Sequence, residues 1–449
     1  GTMNRLTFFF LIAILLLLPA ADTYSQNTNH WQKINHGQVG AYDEGPWRVQ
    51  YFSADTVFIL GSDFYYSRNG ASSFQTAAMG GNELNFNFPT ARTGYIVGLA
   101  GTLKKTTDGG ASWTSLTSPT SYALRGVDFI TPQTGIVVGD YGAVYRTSDG
   151  GNNWTLISSG EADFFFSVKW ITPQIVLVGG SGKMMRSTDA GNTFSVINSF
   201  NSFGWVYDIE YYDPEYSYIG NPQSVSQFDD HVILATGGFQ NLIRSTDYGL
   251  TWVNTMPTVP NPSLGSNFNE VSIIDNKRAL TVGTNTQYGP SLWESADGGK
   301  SWQPYSVPTD YIPLSFDFYD HYTLIGMPRQ AANSQRYFLK FDYQDEDIVI
   351  LTPDKPGFQF TGKQTIPITW RSNNVNQISL QYSIDAGSSW LPITTLPASN
   401  QVYEWEIPET PGLQCHLKAV NAANTSVFDM TDFSFTILNE FWQMHSTPS

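Results

Sequence analysis

Three carboxylates, Asp128, Glu210 and Asp317, occupy the same position of a recurring tetrad of alternating apolar and polar residues. Two carboxylates facing each other across a cleft are the working parts of glycosidic bond hydrolysis. The same position elsewhere holds Gln50, Asn87, Lys169 and Ser272. That favours another reading: a polar ring whose members hydrogen-bond between neighbouring strands and hold ordered water. No catalytic residue is assigned on this reading, and the three carboxylates stand as weak candidates. Arg48, which opens the first tetrad, could hold a substrate carboxylate. An ion pair with a carboxylate of a neighbouring sheet explains it more simply.

Other chemistry is absent from the sequence. There is no Gly-x-Ser-x-Gly elbow, no His-Glu-x-x-His helix, no phosphate loop and no calcium-loop spacing. Asp229-Asp230-His231 and Asp320-His321 read as turns leading into strands. The single cysteine, Cys415, excludes an intramolecular disulfide and a cysteine-rich metal site, and is expected to be buried. No metal and no cofactor are expected. With 39 Asp plus Glu against 23 Lys plus Arg, the chain repels phosphate backbones and anionic membranes. Nucleic acid is therefore not an expected partner.

The tetrads must sit on strands, because alternation with a period of two places one face inward. They are Arg48-Val49-Gln50-Tyr51, Asn85-Phe86-Asn87-Phe88, Gly126-Val127-Asp128-Phe129 and Ser167-Val168-Lys169-Trp170, then Asp208-Ile209-Glu210-Tyr211, Glu270-Val271-Ser272-Ile273 and Ser315-Phe316-Asp317-Phe318. Most are followed by a strand ending near glycine, as in Tyr95-Ile96-Val97-Gly98 and Ile136-Val137-Val138-Gly139. A third strand then runs into a short motif: Ser or Thr, Asp at +2, Gly at +4 and Trp or Phe at +7. Its Asp residues are Asp108, Asp149, Asp189, Asp247 and Asp297, and Ser67-Asn69-Ala71-Phe74 is a worn copy. The copies recur at about 40 to 60 residues, the length of one four-stranded propeller blade. The Asp takes up turn amides, the Gly adopts a positive φ, and the aromatic opens the next strand. The expected place of the motif is therefore a hairpin between third and fourth strands. Its carboxylates are structural rather than catalytic.

The seventh tetrad has no motif after it. His30-Trp31-Gln32-Lys33-Ile34 mimics the outer strands that follow the other motifs, such as Ser112-Trp113-Thr114-Ser115-Leu116. An N-terminal strand is thus expected to complete the last blade and remove a free sheet edge. The fold class is all-β: a seven-bladed β-propeller over residues 26–344, closed by an N-terminal strand. An Ig-like β-sandwich over 345–438 follows, and then a tail, 439–449. The sandwich carries one more motif, around Asp385. Residues 1–25 read as a secretory signal peptide: Gly1 and Thr2 precede the expected initiator Met3, then come Arg5, an apolar run over 8–18, and Pro19-Ala20-Ala21. That run falls short of the roughly 20 residues needed to span a bilayer, so no transmembrane segment is expected in the mature chain. The expected location is secreted, periplasmic or at a bacterial cell surface.

These motifs resemble Asp-box, or BNR, repeats. Leu124–Gly139 followed by Thr147-Ser148-Asp149-Gly150-Gly151 is similar to photosystem II assembly-factor-like propellers, and the C-terminal part resembles Ig-like modules of Bacteroidetes-type secreted proteins. The resemblance implies a seven-bladed, non-catalytic binding or assembly protein. Sialidases and xyloglucan-type glycosidases also carry Asp boxes. The sialidase Arg-Ile-Pro signature is missing, however: Trp47-Arg48-Val49 lacks the Pro. A two-propeller cleft is missing as well. The reading is a secreted, monomeric recognition propeller for a protein or glycan partner, with a glycoside hydrolase as the alternative. Its ligand face should be built from loops between strands two and three and between blades. Those loops hold Trp47, Arg125, Asp140, Tyr141, Glu161, Tyr288, Arg329 and the neighbouring Arg48. They also include Asp63-Phe64, Gln240-Asn241, Asp163 and Tyr311. An insertion between Tyr212 and Asp230, rich in Tyr, Pro, Asn and Ser, is expected on the opposite face.

Overall fold

The computed structural model describes residues 31–35, 48–53, 55–157, 163–199, 205–212, 232–238, 241–255, 266–273, 278–285, 289–305, 313–318, 323–328, 337–342, 346–353, 357–431 and 433–438. The signal segment, the tail, the 213–231 insertion, Trp47, Glu161, Tyr288, Tyr311, Arg329 and Gln240 lie outside them. Among the described residues no helix is long and apolar enough to cross a membrane.

Among the described residues, seven four-stranded antiparallel sheets follow one another between residues 31 and 342. Their inner strands are, from the first sheet to the seventh, Arg48–Tyr51, Glu83–Asn87, Leu124–Phe129, Phe165–Trp170, Val206–Tyr212, Ser266–Ile273 and Pro313–Phe318. Each inner strand packs on the next and the seventh packs on the first, so the sheets form a ring around a central channel. The outer strand of the seventh sheet is Trp31–Asn35, paired antiparallel with Tyr337–Asp342.

The core lies between consecutive sheets rather than within any one. Phe58, Leu60 and Phe64 of the first sheet pack on Phe86, Phe88 and Ile96 of the second. Tyr95 and Val97 of the second meet Leu124, Val127 and Phe129 of the third. Similar layers join the fourth sheet to the fifth and the fifth to the sixth. Phe64 is wholly buried and stands edge-on to Trp113. It therefore belongs to this core and not to the ligand face, because its strand begins there and turns the ring inward.

The Asp motifs occupy the turns between third and fourth strands. In one of them Thr147 Oγ1 donates to Asp149 Oδ1 at 2.9 Å and accepts the Gly151 amide at 3.0 Å, while Asp149 Oδ1 also accepts the Asn153 amide at 2.9 Å. Gly151 sits at φ 85°, where a Cβ is costly. The worn copy keeps the same turn with Ala71 at φ 61°, and Asn69 Oδ1 accepts the Ser73 amide.

These bonds favour the ionised carboxylate. Asp189 is held at about 2 by the amide and hydroxyl of Thr193, and Asp385 at about 2 by the hydroxyls of Ser389 and Ser383. At Asp108 burial is the largest single effect and pushes upward, but the hydrogen bonds from Ser112 and Thr106 together outweigh it, again giving about 2. A carboxyl depressed by folding stabilises above its ordinary value near 4, and that contribution fades as pH falls toward the folded value. Melting temperature should therefore drop between about pH 4 and pH 2. Asp189→Asn should remove part of that dependence, as read by thermal melting across the acid range.

Residues 347–438 form a three-stranded sheet and a second sheet of six strands. Both turn apolar faces into one core around Trp370, Trp405, Leu380 and Phe435, and the Trp370 indole donates to the Ala398 carbonyl at 3.0 Å. Cys415 is buried there. The seventh Asp motif sits between Gln377–Ser383 and Leu391–Pro397. Its bonds are those of the other turns, with Ser383 Oγ donating to Asp385 Oδ1 at 2.7 Å.

Candidate functional site: the channel and its aromatic mouth

The third residue of a tetrad points across to the next sheet. Gln50 Oε1 accepts the Phe88 amide at 3.1 Å, Asn87 Oδ1 the Phe129 amide at 3.1 Å, and Asp128 Oδ2 the Trp170 amide at 2.7 Å. Asp317 Oδ2 continues the pattern from the seventh sheet to the first by accepting the Tyr51 amide at 2.7 Å. Lys169 cannot accept, and instead donates to Glu210 Oε2 at 2.9 Å. The second oxygens are also bound: Asp128 Oδ1 takes the Asn87 amide group at 2.9 Å, and Asp317 Oδ1 the Ser272 hydroxyl at 3.2 Å. The ring position thus clamps sheet to sheet.

Arg48 departs from the expectation of a partner on a neighbouring sheet. Its guanidinium crosses the channel to Asp208 of the fifth sheet at 3.1 Å and Glu270 of the sixth at 3.9 Å. The side chain is long enough to span the ring, and the adjacent sheets offer amides and hydroxyls where it starts. It keeps 30% of its surface exposed, so water reaches it along the channel. Burial opposes its charge, but Asp208, Glu270 and Glu210 outweigh that and hold its pKa above the ordinary value. Lys169 is raised in the same way, burial being overcome by Glu210 and Asp128. Burial pushes Asp128 up despite Lys169 and the Trp170 amide. It pushes Glu270 well up, with Arg48 opposing and Asp208 adding to the shift.

Above these groups lies a layer that period-two reasoning misses. Six inner strands carry a register shift near their start, between Glu83/Asn85, Leu124/Gly126, Phe165/Ser167, Val206/Asp208, Phe268/Glu270 and Pro313/Ser315. A bulge of this kind leaves one extra residue unpaired and re-aims it. Among the extra residues are Arg125, Phe166 and Tyr207 from consecutive sheets. The Arg125 guanidinium lies 5.6 Å over the Phe166 ring, and Phe166 stands edge-on to Tyr207 at 5.4 Å. Trp205 covers both, at 5.8 Å from each, and is 43% exposed. Arg125 also binds both oxygens of Asp140, Nη2 to Oδ2 at 3.1 Å.

Next to Asp140, Tyr141 lies 4.5 Å from Tyr122 and 5.8 Å from Phe164. It is 61% exposed and sits at φ 56° ahead of Gly142. The matching turn of the second sheet has Ala100 and Gly101 in the same backbone conformation. A bulky residue at positive φ costs about 1 kcal/mol, so the third sheet holds its tyrosine outward at a cost to stability. The result is an exposed aromatic belt over the third to fifth sheets. Of the residues expected on a ligand face, Arg125, Asp140 and Tyr141 meet there, and Arg48 lies deeper in the channel. Tyr122, Phe164, Phe166, Trp205 and Tyr207 are additional. The residue preceding each tetrad is the sequence column that would have found two of them.

The family profile described as "Photosynthesis system II assembly factor YCF48" matches residues 71–163 and 113–201. No curated protein matches the chain in sequence. Among solved structures, YCF48 bound to a D1 peptide is similar at 14% identity and TM-score 0.50, over 71% of this chain and 96% of that one. The GH74 xyloglucanase from Xanthomonas campestris is similar at 13% identity and TM-score 0.50, over 90% and 81%. The RRP9 WD40 repeats are similar at 9% identity and TM-score 0.51, over 70% and 97%. Such identities speak to fold. With the ring of four-stranded sheets and the repeated Asp turns, they make the larger part of this chain a BNR-like β-propeller.

Proposed function

We propose that this chain is a secreted, non-catalytic recognition or assembly protein. In this reading a seven-bladed propeller, closed by its N-terminal strand and followed by an Ig-like sandwich, binds a protein partner through the aromatic mouth of the ring. The observation that carries it is the belt of rings from Tyr122 to Tyr207 beside the Arg125–Asp140 pair, with Tyr122, Tyr141, Phe164 and Trp205 exposed. Exposed contiguous aromatics on a rigid scaffold are what protein interfaces use as anchors. A peptide-bound propeller among the similar structures is consistent with it.

The hydrolase alternative draws on the raised carboxyls of Asp128 and Glu270, since a general acid needs such a shift. It also needs an oxygen free to meet the glycosidic bond. Asp128 has both oxygens engaged, and Glu270 sits beside Arg48. The test is to present the full chain with a panel of chromogenic glycosides and, separately, with a display library of short random peptides. We expect no turnover, and peptide enrichment that is lost in the Tyr141→Asn, Trp205→Ala double variant. Turnover abolished by Asp128→Asn or Glu270→Gln would make the protein a glycosidase.

A further inference from the structure

We infer that the partner segment meets the belt with lysine or arginine side chains set beside aliphatic residues. The inference rests on the recognition reading above and names the chemistry of what is recognised. Each cation described on this face or beneath it is closed by a carboxylate of the chain: Arg125 by Asp140, Lys183 by Asp163, Arg48 by Asp208, and Lys169 by Glu210. An anionic ligand would have to break one of these pairs and leave a carboxylate stranded. A cationic side chain breaks none.

The belt also has a worked example of such a contact. The Arg125 guanidinium carbon lies over the Phe166 ring, 5.6 Å from its centre, within the range at which a cation is drawn to a ring face. Below the mouth, Asp128, Asp208, Glu210 and Asp317 outnumber Arg48 and Lys169 even with Glu270 set aside, and the whole chain carries a formal charge of -16. A basic segment is therefore steered toward this face as well as held there. A glycan fits less well. The rings are tilted against one another by 41° at Tyr122–Tyr141, 48° at Tyr141–Phe164 and 33° at Phe166–Trp205, so they offer no flat platform for pyranose faces. The charged pair among them, Arg125 and Asp140, is already engaged with itself.

The experiment uses the full chain and the display library of short random peptides. Enriched peptides are resynthesised, with matched versions carrying Glu for each Lys or Arg. Binding is read by fluorescence polarisation at low and high salt. We expect enrichment of Lys and Arg next to Leu, Ile, Val or Pro, and binding about tenfold weaker for the Glu versions. Binding should also weaken with salt, and it should be lost in Tyr141→Asn and in Trp205→Ala. Asn tolerates the backbone of position 141 and both side chains are exposed, so unchanged melting curves separate loss of the site from loss of the fold. Peptides that bind the belt equally well with Glu would overturn the inference and leave the recognition reading standing. Binding untouched by both ring variants would remove the belt as the site. Failure to enrich any peptide, with binding of an oligosaccharide instead, would sink both.

Discussion

Replacing Arg48 with methionine should cost the propeller about 3–5 kcal/mol, because it strands buried carboxylates that now share one counterion. Methionine keeps much of the length and apolar stem, so the loss reports the charge. Urea unfolding followed by tryptophan fluorescence measures it. The partners should differ. Asp208 accepts from both Arg48 and the Val271 amide, so Asp208→Asn should be nearly as damaging. Burial strongly opposes the ionisation of Glu270, so Glu270→Gln should lie within about 1 kcal/mol of the parent. The sign of the pH effect follows. A carboxyl raised by folding takes up its proton before the unfolded chain does, so acidification through its folded pKa stabilises. That gain should vanish in Glu270→Gln. A parent-like Arg48→Met would show the channel bridge to be dispensable.

The second large effect is at Gly237. A Cβ placed there would sit 1.5 Å from the Trp205 carbonyl oxygen and 2.6 Å from its carbon. Both are backbone atoms, and the same carbonyl accepts the Gly238 amide at 3.0 Å. Gly237→Ala should destabilise by about 3 kcal/mol and shift Trp205 within the belt, so partner binding falls with stability. Gly80→Ala is the control: its nearest neighbour is the Glu83 carboxylate at 3.6 Å, an ordinary contact. The same close approach recurs at Gly98, 1.9 Å from the Asn82 oxygen, and at Gly139, 2.0 Å from the Ala123 oxygen. Each of these glycines faces an inner strand at its bulge, which folds the start of that strand back over the end of its neighbour.

That recurrence marks the boundary of what the sequence makes legible. Glycine at the end of second strands such as Gly94–Gly98, Gly135–Gly139 and Val232–Gly237 is plain in the sequence, while its reason is a crossing visible only in three dimensions. The Asp turns are legible because a turn is local: hydroxyl, carboxylate and glycine lie within a few residues of each other. The tetrads are legible because alternation survives in one strand at a time. Arg48 and Asp208 are not legible as partners, because nothing local joins the first sheet to the fifth. The belt is half legible. Asp140 and Tyr141 stand in a turn that a propeller would present, whereas Arg125, Phe166 and Tyr207 fall in bulges, which break the alternation used to assign faces. Trp205 and Phe164 join them only because consecutive sheets stand side by side.

The pairing of Trp31 with Phe341 sets an order of events as well as a shape. In a chain made from its N-terminus, the first strand emerges long before the strand it must join, and the ring cannot shut until synthesis has passed the seventh sheet. Contacts so distant in sequence make folding slow, and the unpaired edge stays open to other chains meanwhile. Shortening the N-terminus past residue 35 would leave the outer edge of strand Tyr337–Asp342 permanently unpaired, converting a transient aggregation hazard into a lasting one.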